Sequence, residues 1–168
     1  MTSFTQFFKN LFSDTIVPKN FDGIIAAKVV GIEKHLNADR LRLVRLDAGN
    51  GIIEPVVCGA FNFEVGAMVA LALPGATITQ NIHSETHEPF VLGKAKIRGI
   101  ESQGMICAAF ELGLDKNPGE KPEIMLLKNT VIPGSPFAPE MIQWDWTKLT
   151  IIDKIEQNFS PIILVNFV

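Results

Sequence analysis

Between residues 24 and 73 the chain is written in short apolar runs, each stopped by glycine, proline or asparagine. Ile24 to Ile32 is rich in Ile, Val and Ala, and Gly31 near its end marks a bulge or sharp bend. Leu41 to Asp47 alternates, so Leu41, Leu43 and Arg45 face one way while Arg42, Val44 and Leu46 face the other. Ala48-Gly49-Asn50-Gly51 is a turn that joins antiparallel strands, and Ile52 to Cys58 is the return strand. Pro55 within it implies an edge or a bulge. Met68 to Leu73 reads as a fourth strand, stopped by Pro74-Gly75. A chain with this punctuation is mainly β, and its period leaves no room for long helices over this span.

Later segments are less regular. Residues 77–90 form a polar excursion with His83 and His87, at a spacing that could hold a metal on a helix. The segment has no helical apolar stripe, so no metal is expected. Lys94 to Ile100 reads as a strand with Lys94, Lys96 and Arg98 on one face. Gly99 and Gly104 are then expected to bracket a turn carrying Glu101, Ser102 and Gln103. Met105 to Cys107 re-enters an apolar layer, and Ala108 to Leu114 reads as a short helix ended by Gly113. Ile124 to Leu127 is a further short strand. Five or six short strands with glycine turns suit a small five-stranded OB-fold barrel.

Three units follow. Residues 1–20 comprise an amphipathic helix, with Phe4, Phe7, Phe8, Leu11 and Phe12 on one face, and a linker broken by Pro18. Residues 21–140 are the barrel domain. Residues 141–168 are a C-terminal extension whose apolar end, Pro161 to Val168, is expected to complete a sheet, to enter a partner or to be the stub of a longer protein. The N-terminal helix is expected to dock on the barrel, and the sharper alternative is a homodimer or other subunit contact through the apolar termini.

The chain of 168 residues carries a net charge of −3, which excludes coating nucleic acid by bulk charge. No stretch of about 18 apolar residues exists, so no membrane partner is expected. Cys58 and Cys107 lie in apolar runs, as reduced core residues of a cytoplasmic protein do. There is no Walker loop, dinucleotide fingerprint, nucleophile elbow or cysteine-ligand set, so neither a cofactor nor a catalytic residue is expected. His35 reads as a loop residue. What remains is a basic set: Lys34, Arg40, Arg42 and Arg45 early, Lys94, Lys96 and Arg98 late, offset partly by Glu33, Asp39 and Asp47. Brought to one face, these cations suit a ribose-phosphate chain. From these residues alone a solvated strand face is the favoured reading.

Five ordered motifs span roughly a hundred residues: residues 33–41 (EKHLNADRL), 57–62 (VCGAFN), 72–76 (ALPGA), 94–107 (KAKIRGIESQGMIC) and 111–114 (ELGL). Residues 21–127 thereby resemble the tRNA-binding domain shared by endothelial monocyte-activating polypeptide II and the appendage of methionyl-tRNA synthetases. They are more closely similar to the N-terminal part of the β subunit of bacterial phenylalanine–tRNA ligase. The family usually has proline at positions 36 and 61 and often serine at 108, where this chain has Leu36, Phe61 and Ala108. Residues 77–93 are also longer than usual.

The resemblance implies a non-catalytic tRNA-binding OB-fold, with no aminoacylation or editing by this chain alone. It places Asn37, Arg40, Ser102 and Met105 on the tRNA surface, to which the basic residues add Arg42, Lys96 and Arg98. Core packing remains open for Met105, and loop capping for Asn37 and Asp39. A free-standing homodimeric tRNA-binding protein and a protein-interaction module without RNA binding remain as alternatives.

Overall fold

The computed structural model describes residues 21–115 and 123–143. The expected N-terminal helix and most of the C-terminal extension lie outside the described residues. Among the described residues there are ten strands: β1 Ile24–Lys34, β2 Arg42–Asp47, β3 Ile52–Cys58, β4 Met68–Ala72, β5 Thr77–Ile78, β6 Phe90–Val91, β7 Ala95–Ile97, β8 Ile100–Ser102, β9 Met105–Ile106 and β10 Leu126–Leu127. The main sheet runs β10-β4-β1-β2-β3, all antiparallel, with β9 also on β4.

The first strand does two jobs because it is long and bent. Its start pairs with β4 (Ile24 opposite Ala72) and its end with β2 (Lys34 opposite Arg42). The register slips between Val29 and Gly31, which is the bulge that Gly31 suggested. The circle closes where β8 returns to β3. There the Gln103 N–H donates to the Pro55 carbonyl (3.0 Å), and Ser102 Oγ accepts from the Val57 N–H (3.0 Å). The result is the expected OB-like barrel, and Pro55 does lie on the edge strand of the main sheet.

Strand alternation divides two cores. Ala27, Val29, Val44, Leu46, Val56, Val69, Leu71 and Ile106 fill the barrel interior. The other side chains of β1 and β4, Ile24, Ala26, Met68, Ala70 and Ala72, face outward. They are covered by Ile78, Leu92, Cys107, Leu112, Leu127, Phe137 and Ile142. All five residues of β4 are therefore buried. Residues 134–137 run along the open edge of β1, with Ala26 N–H to Ser135 O at 2.9 Å and Phe137 N–H to Ile24 O at 2.9 Å. That contact blunts an edge that would otherwise be a pairing template.

Two sequence expectations are corrected. The tight turn is at Arg98-Gly99, with φ of 49° and 96°, inside a two-residue hairpin in which Ile97 pairs with Ile100. Glu101 and Ser102 are consequently strand residues of β8. Positive φ at both turn residues is what the right-handed twist of a hairpin demands. Second, Ala108 to Leu114 is a single closed turn and not a helix. The Glu111 carboxylate accepts from the Ala108 N–H (2.7 Å), while Leu114 N–H returns to Ala109 O and Gly113 N–H to Phe110 O. The start and stop signals sit so close that no helical span fits between them. Burial pushes the Glu111 carboxyl above its ordinary pKa, against the bond from Ala108.

Gly49, in the β2–β3 turn at φ 82°, packs against the Pro133 carbonyl, which a Cβ would overlap. Gly49→Ala is expected to cost about 2–4 kcal/mol through backbone strain and displacement of residues 133–134, read as a lower urea midpoint at unchanged m. Cys58 and Cys107 are buried free thiols, and burial raises the pKa of both.

Candidate nucleic-acid interface

Three segments meet at one end of the barrel. The loop of residues 35–41 leaves β1 and enters β2, so it begins and ends where Lys34 faces Arg42. β3 ends beside it, because Arg42 also pairs with Cys58. The β7–β8 hairpin projects towards the same end: with Gln103 beside Pro55 and Ser102 beside Val57, moving back along β8 carries the chain past Cys58. The loop after β3 completes the group, with Gly59 lying against the Arg40 carbonyl.

The seven cations of the basic set are not equivalent here. Lys34 Nζ pairs with Asp39 Oδ1 at 2.9 Å, and that hydrogen bond and charge raise the Lys34 pKa and lower that of Asp39. Arg45 pairs with Glu54, and Lys94 Nζ with Glu101 Oε1 at 3.5 Å. Arg42 is buried. Its Nη2 donates to the Ala60 carbonyl (2.7 Å), and both Nη1 and Nη2 donate to the Phe63 carbonyl (3.2 Å each). The guanidinium also lies 4.8 Å from the Phe61 ring centroid and 4.3 Å from that of Phe63. Arg40, Lys96 and Arg98 remain, all exposed and, among the described residues, without an ion pair.

The other expected site residues divide in the same way. Asn37 is exposed on the loop, and its N–H donates to Nδ1 of His35 (3.1 Å). His35 is a loop residue, as the sequence suggests, and its ring is buried. Ser102 is buried as well. Its hydroxyl accepts from Val57 N–H and donates to the Gly104 carbonyl (2.8 Å), so it fastens β8 to β3 and offers nothing to a ligand. Ser102→Ala is expected to lower stability by about 1–3 kcal/mol, the cost of a buried amide left unbonded. A thermal melt checks this, and a melting temperature equal to that of the parent would refute it. Met105 faces Ala72, at the Ile24 end of β1, half-buried against the outer core. The structure thus gathers Asn37, Arg40, Lys96 and Arg98, and gives Arg42, Ser102 and Met105 internal contacts.

Sequence reasoning did not single out Phe61, which is 57 % exposed above the Arg42 guanidinium. Its large ring in the loop between β3 and β4 was the available signal. His83 and His87 sit on turns organised by Asn81: Asn81 Oδ1 accepts from the His83 N–H, and the Asn81 carbonyl accepts from His87 Nδ1 (3.0 Å). The His87 ring stands edge-on to Phe110.

Residues 24–136 match the family model described as "Putative tRNA binding domain". The chain belongs to the tRNA-binding domain family. It is similar to the phenylalanine–tRNA ligase β subunit of Chlorobaculum tepidum, at 44 % identity over 116 residues, covering 68 % of this chain and 13 % of that protein. Against the β subunit of Anaeromyxobacter dehalogenans the identity is 40 %, covering 69 % and 13 %. Against that of Chlamydia pneumoniae it is 45 % over 97 residues, covering 58 % and 12 %. The chain spans about an eighth of the length of these relatives. Among solved structures, the methionyl-tRNA synthetase-related protein of Pyrococcus horikoshii aligns with a TM-score of 0.48 at 18 % identity, over 72 % of this chain and 88 % of that one.

Proposed function

We propose that the domain binds tRNA without catalysis, through the barrel end that carries Arg40, Lys96 and Arg98, and does so as an auxiliary part of a cytoplasmic phenylalanine–tRNA ligase. The observation that supports this reading is the sorting of the cations. Three are held by acids and one is buried, while three stay exposed on neighbouring segments at one end. Unpaired cations on a rigid rim attract a polyanion and carry little sequence information, so phosphate contact and shape dominate recognition. Asn37, on the same loop as Arg40, adds an amide within reach of a 2′-hydroxyl or base edge. The net charge of −3 keeps the long-range field weak, so the affinity is modest and set locally.

The test is a tRNA titration at two salt concentrations. With three phosphates neutralised, affinity should fall about fortyfold between ~50 and ~200 mM salt. Binding that ignores salt, or none at the lower concentration, would refute the reading. The light-scattering mass of the same sample reports whether two copies associate.

A further inference from the structure

We propose that Phe61 is a stacking platform for one unpaired base of the bound RNA, a contact that rests on the tRNA-binding reading above. Three groups form a column from the barrel interior to the surface. Phe63, 3 % exposed, is part of the inner core. The Arg42 guanidinium lies 4.3 Å from its ring centroid, pinned by the Ala60 and Phe63 carbonyls. Phe61 tops the column, 4.8 Å from the same guanidinium. A side chain with two rotatable bonds, held from beneath by an immobilised cation, is already ordered before anything binds. Little conformational entropy is then lost when a flat partner arrives.

The neighbourhood selects that partner. Arg40, whose carbonyl lies against Gly59 two residues before Phe61, is an exposed cation without an ion pair among the described residues. The β7–β8 hairpin brings Lys96 and Arg98 to the same end. An aromatic face beside unpaired cations matches a nucleotide, with its base on the ring and its phosphate on the guanidinium. Leu36 is also exposed on the 35–41 loop, so it is the unpaired cations that favour a nucleotide over a protein partner. Every base has a π-face, so this contact adds affinity without reading sequence.

The experiment uses the whole chain and a tRNA transcript, comparing Phe61→Ala, Phe61→Leu and Phe61→Trp at fixed low salt, with melts to confirm folding. Phe61→Ala and Phe61→Leu are both expected to weaken binding about five- to hundredfold, while Phe61→Trp retains it. The salt slope should stay at the parental value in all three, since no phosphate contact is removed. Alanine binding as tightly as the parent would overturn the platform and leave the tRNA reading standing. Leucine binding as tightly as the parent would overturn stacking in favour of a plain apolar contact of the kind a protein partner makes. Absence of tRNA binding by the parent would overturn both.

Discussion

Arg42→Ala should lower the stability of the domain by about 3 kcal/mol, a fall of roughly 10 °C in melting temperature for a domain of this size. The substitution leaves the Ala60 and Phe63 carbonyls without the donors they have now, and it empties the space between two aromatic rings. Arg42→Met and Arg42→Lys separate the causes. Methionine restores packing between the rings and no hydrogen bonds, so it should recover part of the loss. Lysine keeps the charge but presents a point donor in place of a planar fork. It should recover less than a charge count suggests. Full stability in the alanine variant, by melt and by urea midpoint, would show that the guanidinium adds nothing to the barrel end.

Removing the exposed cations should have the opposite signature. Lys96→Ala with Arg98→Ala is expected to weaken tRNA binding about a hundredfold at ~50 mM salt and to reduce the salt slope by about two, with the melting temperature nearly unchanged. The magnitude follows from counterion release, since each lost phosphate contact forfeits the entropy of roughly one released ion. Neither side chain takes an ion pair or a buried contact among the described residues, so folding should not notice the change. Unchanged affinity in the double variant would refute the assignment of the hairpin to the interface. An affinity loss with an unchanged slope would mean that the hairpin acts by shape and not by charge.

Arg42 also shows where sequence reading succeeds and where it stops. Alternation along β2 already put Arg42 on the side of Val44 and Leu46, which is the barrel interior. Its charge suggested a ligand, yet its hydrogen-bond partners, Ala60 and Phe63, lie some twenty residues on in a loop without period. Ser102 is a sharper case, since its partner Val57 is 45 positions away and no local pattern links them. The first four strands, the Gly31 bulge and the Gly49 turn were legible because each is encoded by neighbours in sequence. The hairpin at Arg98-Gly99 was missed because its first residue is arginine, whereas asparagine or aspartate announces such turns. Of the exposed cations, sequence could place Arg40, Lys96 and Arg98 on loops or strands. It named Asp39 as an offset to the early cations but could not show that Arg45 and Lys94 also have acids waiting for them.

The double burial of β4 has a consequence for how the domain is acquired and lost. Its partners are β1, some forty residues earlier, β9, more than thirty later, and β10, more than fifty later. No part of either core is complete until segments from across the chain have met on this one strand. Such topology makes for slow folding, because distant loops must close before their contacts repay the entropy. It also denies the molecule a half-way house. With Val69 and Leu71 on one side and Ala70 and Ala72 on the other, loosening one layer exposes the strand that supports the other. The barrel and its outer layer should therefore melt together, as a single transition.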